Sequence, residues 1–312
     1  MSAAETVTPA DIEAAAERIR PYVRRTPLLK LDGPVRCELK LELLQVMGSF
    51  KPRGAFNTLL SVDVPAAGVA AASGGNHGAA VAHAAHTLGH KAAIFVPEIV
   101  RAAKREAIER AGAQIHVGGA RYVEALAACE AYQAETGAMG IHAYAAPMTI
   151  AGQGTVGAEW EADSDGLDTV LVGVGGSGLI TGIAAWFGGR VKVVGVEPEG
   201  SCCLHAALAA GGPVDVDVDS IAADSLGARS IGPLNYTIAA QHVAEVVLVP
   251  DAAIEEAQRV LWRDVRLVTE PGGATAYAAL LGGAYKPAPG ERVGVLVCGS
   301  NTDLAALAAL TQ

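Results

Sequence analysis

Lys51 lies in the run Met47-Gly48-Ser49-Phe50-Lys51-Pro52-Arg53-Gly54-Ala55, between an aromatic residue and a proline. A proline directly after it marks a helix start. A lysine amine that stays unprotonated attacks carbonyl groups. A surface lysine is the ordinary alternative for most lysines, but this neighbourhood is an odd one for a solvated charge. Three other segments join glycine and small polar residues at a strand end to a following helix. They are Ser73-Gly74-Gly75-Asn76-His77-Gly78, Gly175-Gly176-Ser177-Gly178-Leu179 and Cys298-Gly299-Ser300-Asn301. Helix-start N–H groups bind anions, and glycine lets the backbone approach closely.

Alone, Gly175-Gly176-Ser177-Gly178 says phosphate, carboxylate or a tight packing turn. No Gly-Lys-Ser/Thr follows it, so it is not a nucleoside-triphosphate loop. It also lacks the Gly-x-Gly-x-x-Gly order of a dinucleotide site, and no suitably placed acidic residue supports one.

Alternating extended and helical patterns must position these segments, and they predict an α/β fold with parallel sheets wrapped by helices. A helix is expected over 11–20, after Thr8-Pro9, and helices at Ile254–Val265 and Gly273–Leu281. Strands are expected at Val35–Leu39, Val69–Ala72, Ala92–Val96, Gln114–Val117 and Ile141–Ala143. A second series follows at Thr169–Val174, Val191–Val196, Val246–Val249 and Val293–Val297. Two series imply two lobes with a cleft between them, breaking near Pro147. Ligands of such sheets sit beyond the carboxyl ends of the strands.

The 312 residues are 51% hydrophobic, with 37 glycines and 4% aromatics, which suits an α/β enzyme. A net charge of −10 argues against nucleic acid as a partner. No apolar run is long enough to span a membrane, and the start lacks a secretory pattern. Five cysteines without zinc-type spacing fit reduced thiols and a cytoplasmic location, with Cys202-Cys203 read as small helix residues. His83, His86 and His90 read as partly exposed helix residues rather than a metal site, and Cys129, Trp160, Trp186 and Trp262 as helix packing.

Ser-Phe-Lys-Pro-Arg-Gly-Ala, Ser-Gly-Gly-Asn-His-Gly, Gly-Gly-Ser-Gly-Leu and Cys-Gly-Ser-Asn occur here in the order of a known family. From Thr26 onward the chain resembles the serine/threonine dehydratase and serine racemase family, pyridoxal-phosphate enzymes of the tryptophan-synthase-β fold. Ile150-Ala151-Gly152-Gln153-Gly154-Thr155 and Glu270-Pro271-Gly272-Gly273-Ala274 extend the resemblance. It implies a two-lobed, three-layer α/β/α fold with the cofactor in the inter-domain cleft. Residues 44–147 would form a small substrate-binding domain, and 1–43 with 148–312 a large cofactor-binding one. A homodimer acting on a small amino acid is also implied.

Carried over, the resemblance makes Lys51 the Schiff-base lysine and the base that removes the Cα proton. Phe50 would pack near the cofactor ring, and Asn76 would bond its 3-hydroxyl. Gly175, Gly176, Ser177, Gly178 and Leu179 would cradle the phosphate, with Cys298 facing the pyridine nitrogen. Ser73, Gly74, Asn76 and His77 would line the substrate-carboxylate loop, with His77 shaping it rather than acting as base. A thiol cannot stabilise a pyridinium as a carboxylate would, which points to α,β-elimination of L-threonine or L-serine rather than transamination. The alternatives are a serine racemase, a dehydratase of a bulkier β-hydroxy amino acid, a silent binder and a β-replacement enzyme. The racemase branch has a serine where this chain has Gly74. Intact Lys51 argues against a silent binder. Ser73-Gly74-Gly75-Asn76-His77 differs from the Thr-rich loop of β-replacement enzymes. Ala79, Ala145 and Ala146 depart from the family pattern in ways that could enlarge the pocket. Of the divalent-cation ligands that many relatives carry, Glu197 and Ser201 match, but Cys203 replaces an aspartate. A hard cation prefers oxygen, so no metal is expected. The chain also ends soon after the Cys298 motif, which speaks against a C-terminal regulatory domain.

Overall fold

A strand with no polar face belongs inside a sheet that is covered on both sides. In the computed structural model, which describes residues 6–32, 36–100, 102–303, 305, 308 and 309, Thr169–Gly173 and Ala92–Val96 are each buried along their whole length. Each lies inside its own sheet.

The chain begins with α1 (Pro9–Ile19), capped by the reciprocal Thr8–Asp11 pair, then β1 (Leu28–Asp32) and β2 (Arg36–Lys40). Next come α2 (Lys51–Leu60), β3 (Val69–Ala72), α3 (Asn76–Thr87), β4 (Ala92–Val96) and α4 (Ala102–Arg110). After them lie β5 (Gln114–Val117), α5 (Tyr122–Thr136), β6 (Met139–Gly140) and α6 (Pro147–Asp163). Then follow β7 (Thr169–Gly173), α7 (Gly178–Phe187), β8 (Lys192–Pro198), α8 (Cys203–Ala210), α9 (Ala223–Leu226) and α10 (Pro233–His242). The last elements are β9 (Glu245–Val249), α11 (Asp251–Val265), α12 (Pro271–Leu281) and β10 (Val293–Leu296).

Among the described residues, the strands form a six-stranded sheet in the order β1-β2-β10-β7-β8-β9 and a four-stranded one in the order β5-β4-β3-β6. All neighbours run parallel except β1 against β2. Successive side chains point to opposite faces. Leu171 and Val194 therefore pack with Ile254, Leu261 and Ala276 of α11 and α12. Their neighbours Val170 and Val193 pack on the other face with Ile183, Phe187 and Leu204 of α7 and α8. The smaller sheet has the same construction. Val69 and Ile94 face Phe56 and the alanines of α3, while Ala70 and Phe95 face Ala125 and Cys129 of α5. Both sheets thus make α/β/α layers, as the sequence predicts.

Gly152 of α6 decides where α2 lies. A Cβ there would stand 2.6 Å from the Arg53 carbonyl oxygen and 2.7 Å from Gly54 Cα. Only glycine allows α2, which begins at Lys51, to come this close.

Two expectations need correction. Ile141–Ala143 is not a strand; β6 is Met139–Gly140. Ile141 N still donates to Ala70 O at 3.0 Å, but His142 Nδ1 then accepts from the N–H groups of Tyr144 and Ala145 and curls the chain away. Strand β1 was not foreseen, and it adds an antiparallel edge. Val35, placed at a strand start, lies outside the described residues, and β2 begins at Arg36.

Candidate active site

Lys51 is the first residue of α2, and Phe50 precedes it as the helix cap. The Lys51 amine donates to Ala143 O at 3.0 Å and lies 5.1 Å from the centroid of the Phe50 ring. Burial pulls the amine down to about 8, although the nearby Cys298 and Glu270 oppose this. Roughly a tenth of Lys51 is then an unprotonated nucleophile at pH 7, far more than for an ordinary lysine.

Cys298 is held against the same helix start. Phe50 N donates to Cys298 O at 3.3 Å, and Ser49 pairs with Gly299 in an isolated antiparallel bridge. Burial pushes the Cys298 thiol far up, so it stays protonated and donates to Gly272 O at 3.4 Å. Glu270, just before α12, has its carboxyl over Gly299; a Cβ on that glycine would stand 1.9 Å from Oε1. Burial pushes the carboxyl up to about 7, against the hydrogen bond it accepts from Asn76 Nδ2 at 2.7 Å.

Asn76 opens α3. Beside it, burial pulls His77 down to about 3, with Lys51 adding to the effect. The neutral ring puts Nε2 2.9 Å from Ile141 O, an atom that only accepts, so Nε2 carries the hydrogen. Ser73 Oγ accepts from Gly75 N at 3.3 Å, which shapes the loop before the helix, and Gly74 packs beneath Val100.

The glycine loop joins β7 to α7. A Cβ on Gly176 would lie 2.2 Å from the Tyr144 ring, and one on Gly178 2.8 Å from Tyr144 Cα. Ser177 has φ +69° and stands at the α7 N-terminus. Its hydroxyl is buried and has no hydrogen-bond partner among the described residues. A buried polar group without a partner is rare, and a helix N-terminus is where an anion would supply one. Leu179 packs its side chain into the core, so only its backbone can serve the loop.

The description "Pyridoxal-phosphate dependent enzyme" matches residues 19–299. The chain belongs to this family. It is 37% identical to a phenylserine dehydratase of Ralstonia pickettii, over 99% of this chain and 98% of that one. It is 36% identical to a catabolic L-threonine dehydratase of Staphylococcus aureus, over 97% and 92% respectively. Among solved structures, maize serine racemase superposes with a TM-score of 0.92 at 32% identity, covering 98% of this chain and 97% of that one. A threonine deaminase from T.th. does so with a TM-score of 0.89 at 36% identity, covering 95% and 99%.

This pyridoxal-phosphate enzyme has residues that fit its cofactor. Ser177 has an unused hydroxyl at a helix N-terminus, and Lys51 an amine kept partly neutral. The cation ligands that the resemblance implied are a different matter. Both Glu197 oxygens are engaged, Oε1 by Leu204 N at 2.9 Å and Oε2 by His205 N at 2.8 Å. The Cys203 thiol, pushed up to about 12 by burial, donates to Gly175 O at 3.3 Å. A capping carboxylate and a protonated thiol do not fit a hard cation. Among the described residues, no cluster of three or more histidine, cysteine or acidic side chains could hold a metal.

Sequence reasoning left out Glu270, Tyr144 and Asn301 as site residues. Glu270 and Asn301 stood in quoted motifs, but their role depends on contacts between distant segments. Of the three histidines in one stretch, His83 and His86 lie in α3, and His90 falls beyond its end.

Proposed function

We propose that the chain removes water and ammonia from a β-hydroxy amino acid, with L-threonine and L-serine as substrates, giving a 2-oxo acid. The observation that carries this is the buried, partly neutral Lys51 amine beside a protonated thiol. When bound, pyridoxal phosphate supplies an electron-accepting ring that acidifies the substrate Cα–H bond. Lys51 would hold the cofactor through its amine and, once freed, would take the Cα proton. The Gly175–Leu179 segment, with the Ser177 hydroxyl, would hold the phosphate, Phe50 would pack on the ring, and Asn76 would meet its 3-oxygen. A neutral Cys298 thiol facing the pyridine nitrogen would not stabilise a protonated ring as a carboxylate would, which would favour loss of the β-hydroxyl as water. Ser73, Gly74, Asn76 and His77 offer the substrate carboxylate a helix N-terminus. The enamine then released becomes an imine, and water hydrolyses it to the 2-oxo acid and ammonia.

Residues 44–147 act as the small substrate-binding domain, and 1–43 with 148–312 as the large one; the division into two sheets supports this boundary. The enzyme works as a homodimer in the cytoplasm. Among the described residues, no helix is long and apolar enough to cross a membrane.

A second reading, a bulkier β-substituent, has support of its own. Ala145 and Ala146, next to Tyr144, carry small side chains where the family pattern has acidic ones, and the Ralstonia relative is named for phenylserine. The test is the absorption spectrum of purified protein, then 2-oxo acid release from L- and D-serine, L- and D-threonine and phenylserine. A yellow protein producing 2-oxobutyrate from L-threonine supports the first reading. Release from phenylserine alone moves the substrate, and interconversion of D- and L-serine without release would make it a racemase. A protein that stays colourless with added pyridoxal phosphate overturns the whole proposal.

A further inference from the structure

Four segments meet in one chain of hydrogen bonds that the roles above do not explain. Met47 O accepts from Asn301 Nδ2 at 2.7 Å. The same nitrogen donates to Asn76 Oδ1, also at 2.7 Å. Asn76 Nδ2 in turn donates to Glu270 Oε1 at 2.7 Å.

The direction of this chain is forced. A backbone carbonyl has no hydrogen, so Asn301 must turn its NH2 toward Met47. Both Asn301 N–H groups are then engaged, and Asn76 must answer with its oxygen. The Asn76 NH2 therefore points the other way, to the Glu270 carboxyl. Turning over either amide would set donor against donor or oxygen against oxygen. Each end of the chain is fixed by backbone. Met47 and Gly48 have φ of +61° and +72° and bond to Ser300 through Gly48 O at 2.9 Å. Glu270 N donates to Gly299 O at 3.2 Å. One Asn76 N–H remains without an acceptor among the described residues.

We propose that Glu270 and Asn301 are positioning residues that lock the Asn76 amide so that it offers the cofactor's ring oxygen an N–H and never an oxygen. This rests on the reading that Asn76 meets the 3-oxygen. An N–H there favours the ionised ring oxygen, whereas an amide oxygen would repel it. Because Met47 O and Glu270 each fix the orientation separately, the two locks are redundant, and their removal should be strongly non-additive.

The test is titration of the apoprotein with pyridoxal phosphate, together with the absorption spectrum of the reconstituted protein. Four variants are compared with the parent: Glu270→Gln, Asn301→Ala, the double variant and Asn76→Ala. Glutamine has the shape of glutamate and Asn301 is exposed, so the fold is little disturbed; apoprotein melting curves verify this. Each single lock variant is expected to bind the cofactor less than about 1.5-fold more weakly, because the other lock still holds the amide. The double variant should lose about tenfold or more, as expected for one missing hydrogen bond, and match Asn76→Ala. Its spectrum should also move toward the form with a protonated ring oxygen. Additive effects in the double variant would overturn the proposal, as would a full loss in Glu270→Gln alone, which would mean the carboxylate acts by charge. If Asn76→Ala itself binds and absorbs like the parent, the role assigned to Asn76 fails instead.

Discussion

Two residues apart on α2, Lys51 and Arg53 are both taken out of water, and they end in opposite electrostatic states. Lys51 has one carbonyl partner, and burial leaves its amine depressed. Arg53 is 1% exposed, yet its Nε and Nη2 reach Glu42 at 2.8 and 2.7 Å and its Nη2 reaches Glu159 at 3.0 Å. Burial pulls Arg53 down, but Glu42 and Glu159 outweigh it and hold the guanidinium above its ordinary value. Lys40, fully buried, closes the cluster by donating to Glu159 at 2.7 Å. Burial by itself therefore does not determine charge; pairing does. One turn of helix thus carries both a reactive amine and a permanently charged anchor that ties α2 to the turn after β2 and to α6.

The largest effect should come from removing the reactive partner. Lys51→Ala is expected to lower kcat/KM for the best substrate by about 10⁴-fold or more and to abolish the yellow colour. Residual turnover above about one per cent would mean that another group takes the proton. Removing the anchor should instead damage the fold. Arg53→Met leaves Glu42 buried without its cation, while Glu159 keeps Lys40, at a cost of about 3–5 kcal/mol in denaturant unfolding. A loss below about 1 kcal/mol would show that pairing is not what holds this region.

A third prediction uses pH to separate the pair. Only a neutral amine captures the aldehyde, so reconstitution of the apoprotein should quicken about tenfold per pH unit below about 8 and level off above it. Arg53, charged throughout, adds no inflection. A rate still climbing at about pH 10 would mean that Lys51 is not depressed. The smallest effect concerns Glu197, a buried carboxyl paired only with backbone N–H groups. A chelator should change parental activity less than about twofold. In Cys203→Asp, added Mg²⁺ should raise the melting temperature by about 2–4 °C through binding to the folded state. Strong chelator sensitivity in the parent would restore the cation to this chain.

The sequence and the structure agree best where the information is local. Ala92–Val96 and Gln114–Val117 appear at the predicted bounds, because short apolar runs between turn signals have few alternatives. Lys51 and the glycine loop stood out as motifs, since each is a contiguous run of residues. The Arg53 cluster was not, because Lys40, Glu42, Arg53 and Glu159 come from separate elements and a buried charge leaves no period in the sequence. The Asn76–Asn301 contact spans 225 positions, and nothing in either segment announces the other. The misplaced Ile141–Ala143 strand shows the same limit, since one histidine ring folded a good strand sequence into a turn.

That turn has a further consequence. Ala143 takes the hydrogen bond of the Lys51 amine, and the next residue, Tyr144, lies against Gly176 and Gly178. A single dipeptide thus works as a calliper, with the Lys51 amine held at one jaw and the glycine loop at the other. The span is a property of chain length there, and an inserted residue would mis-set both jaws together.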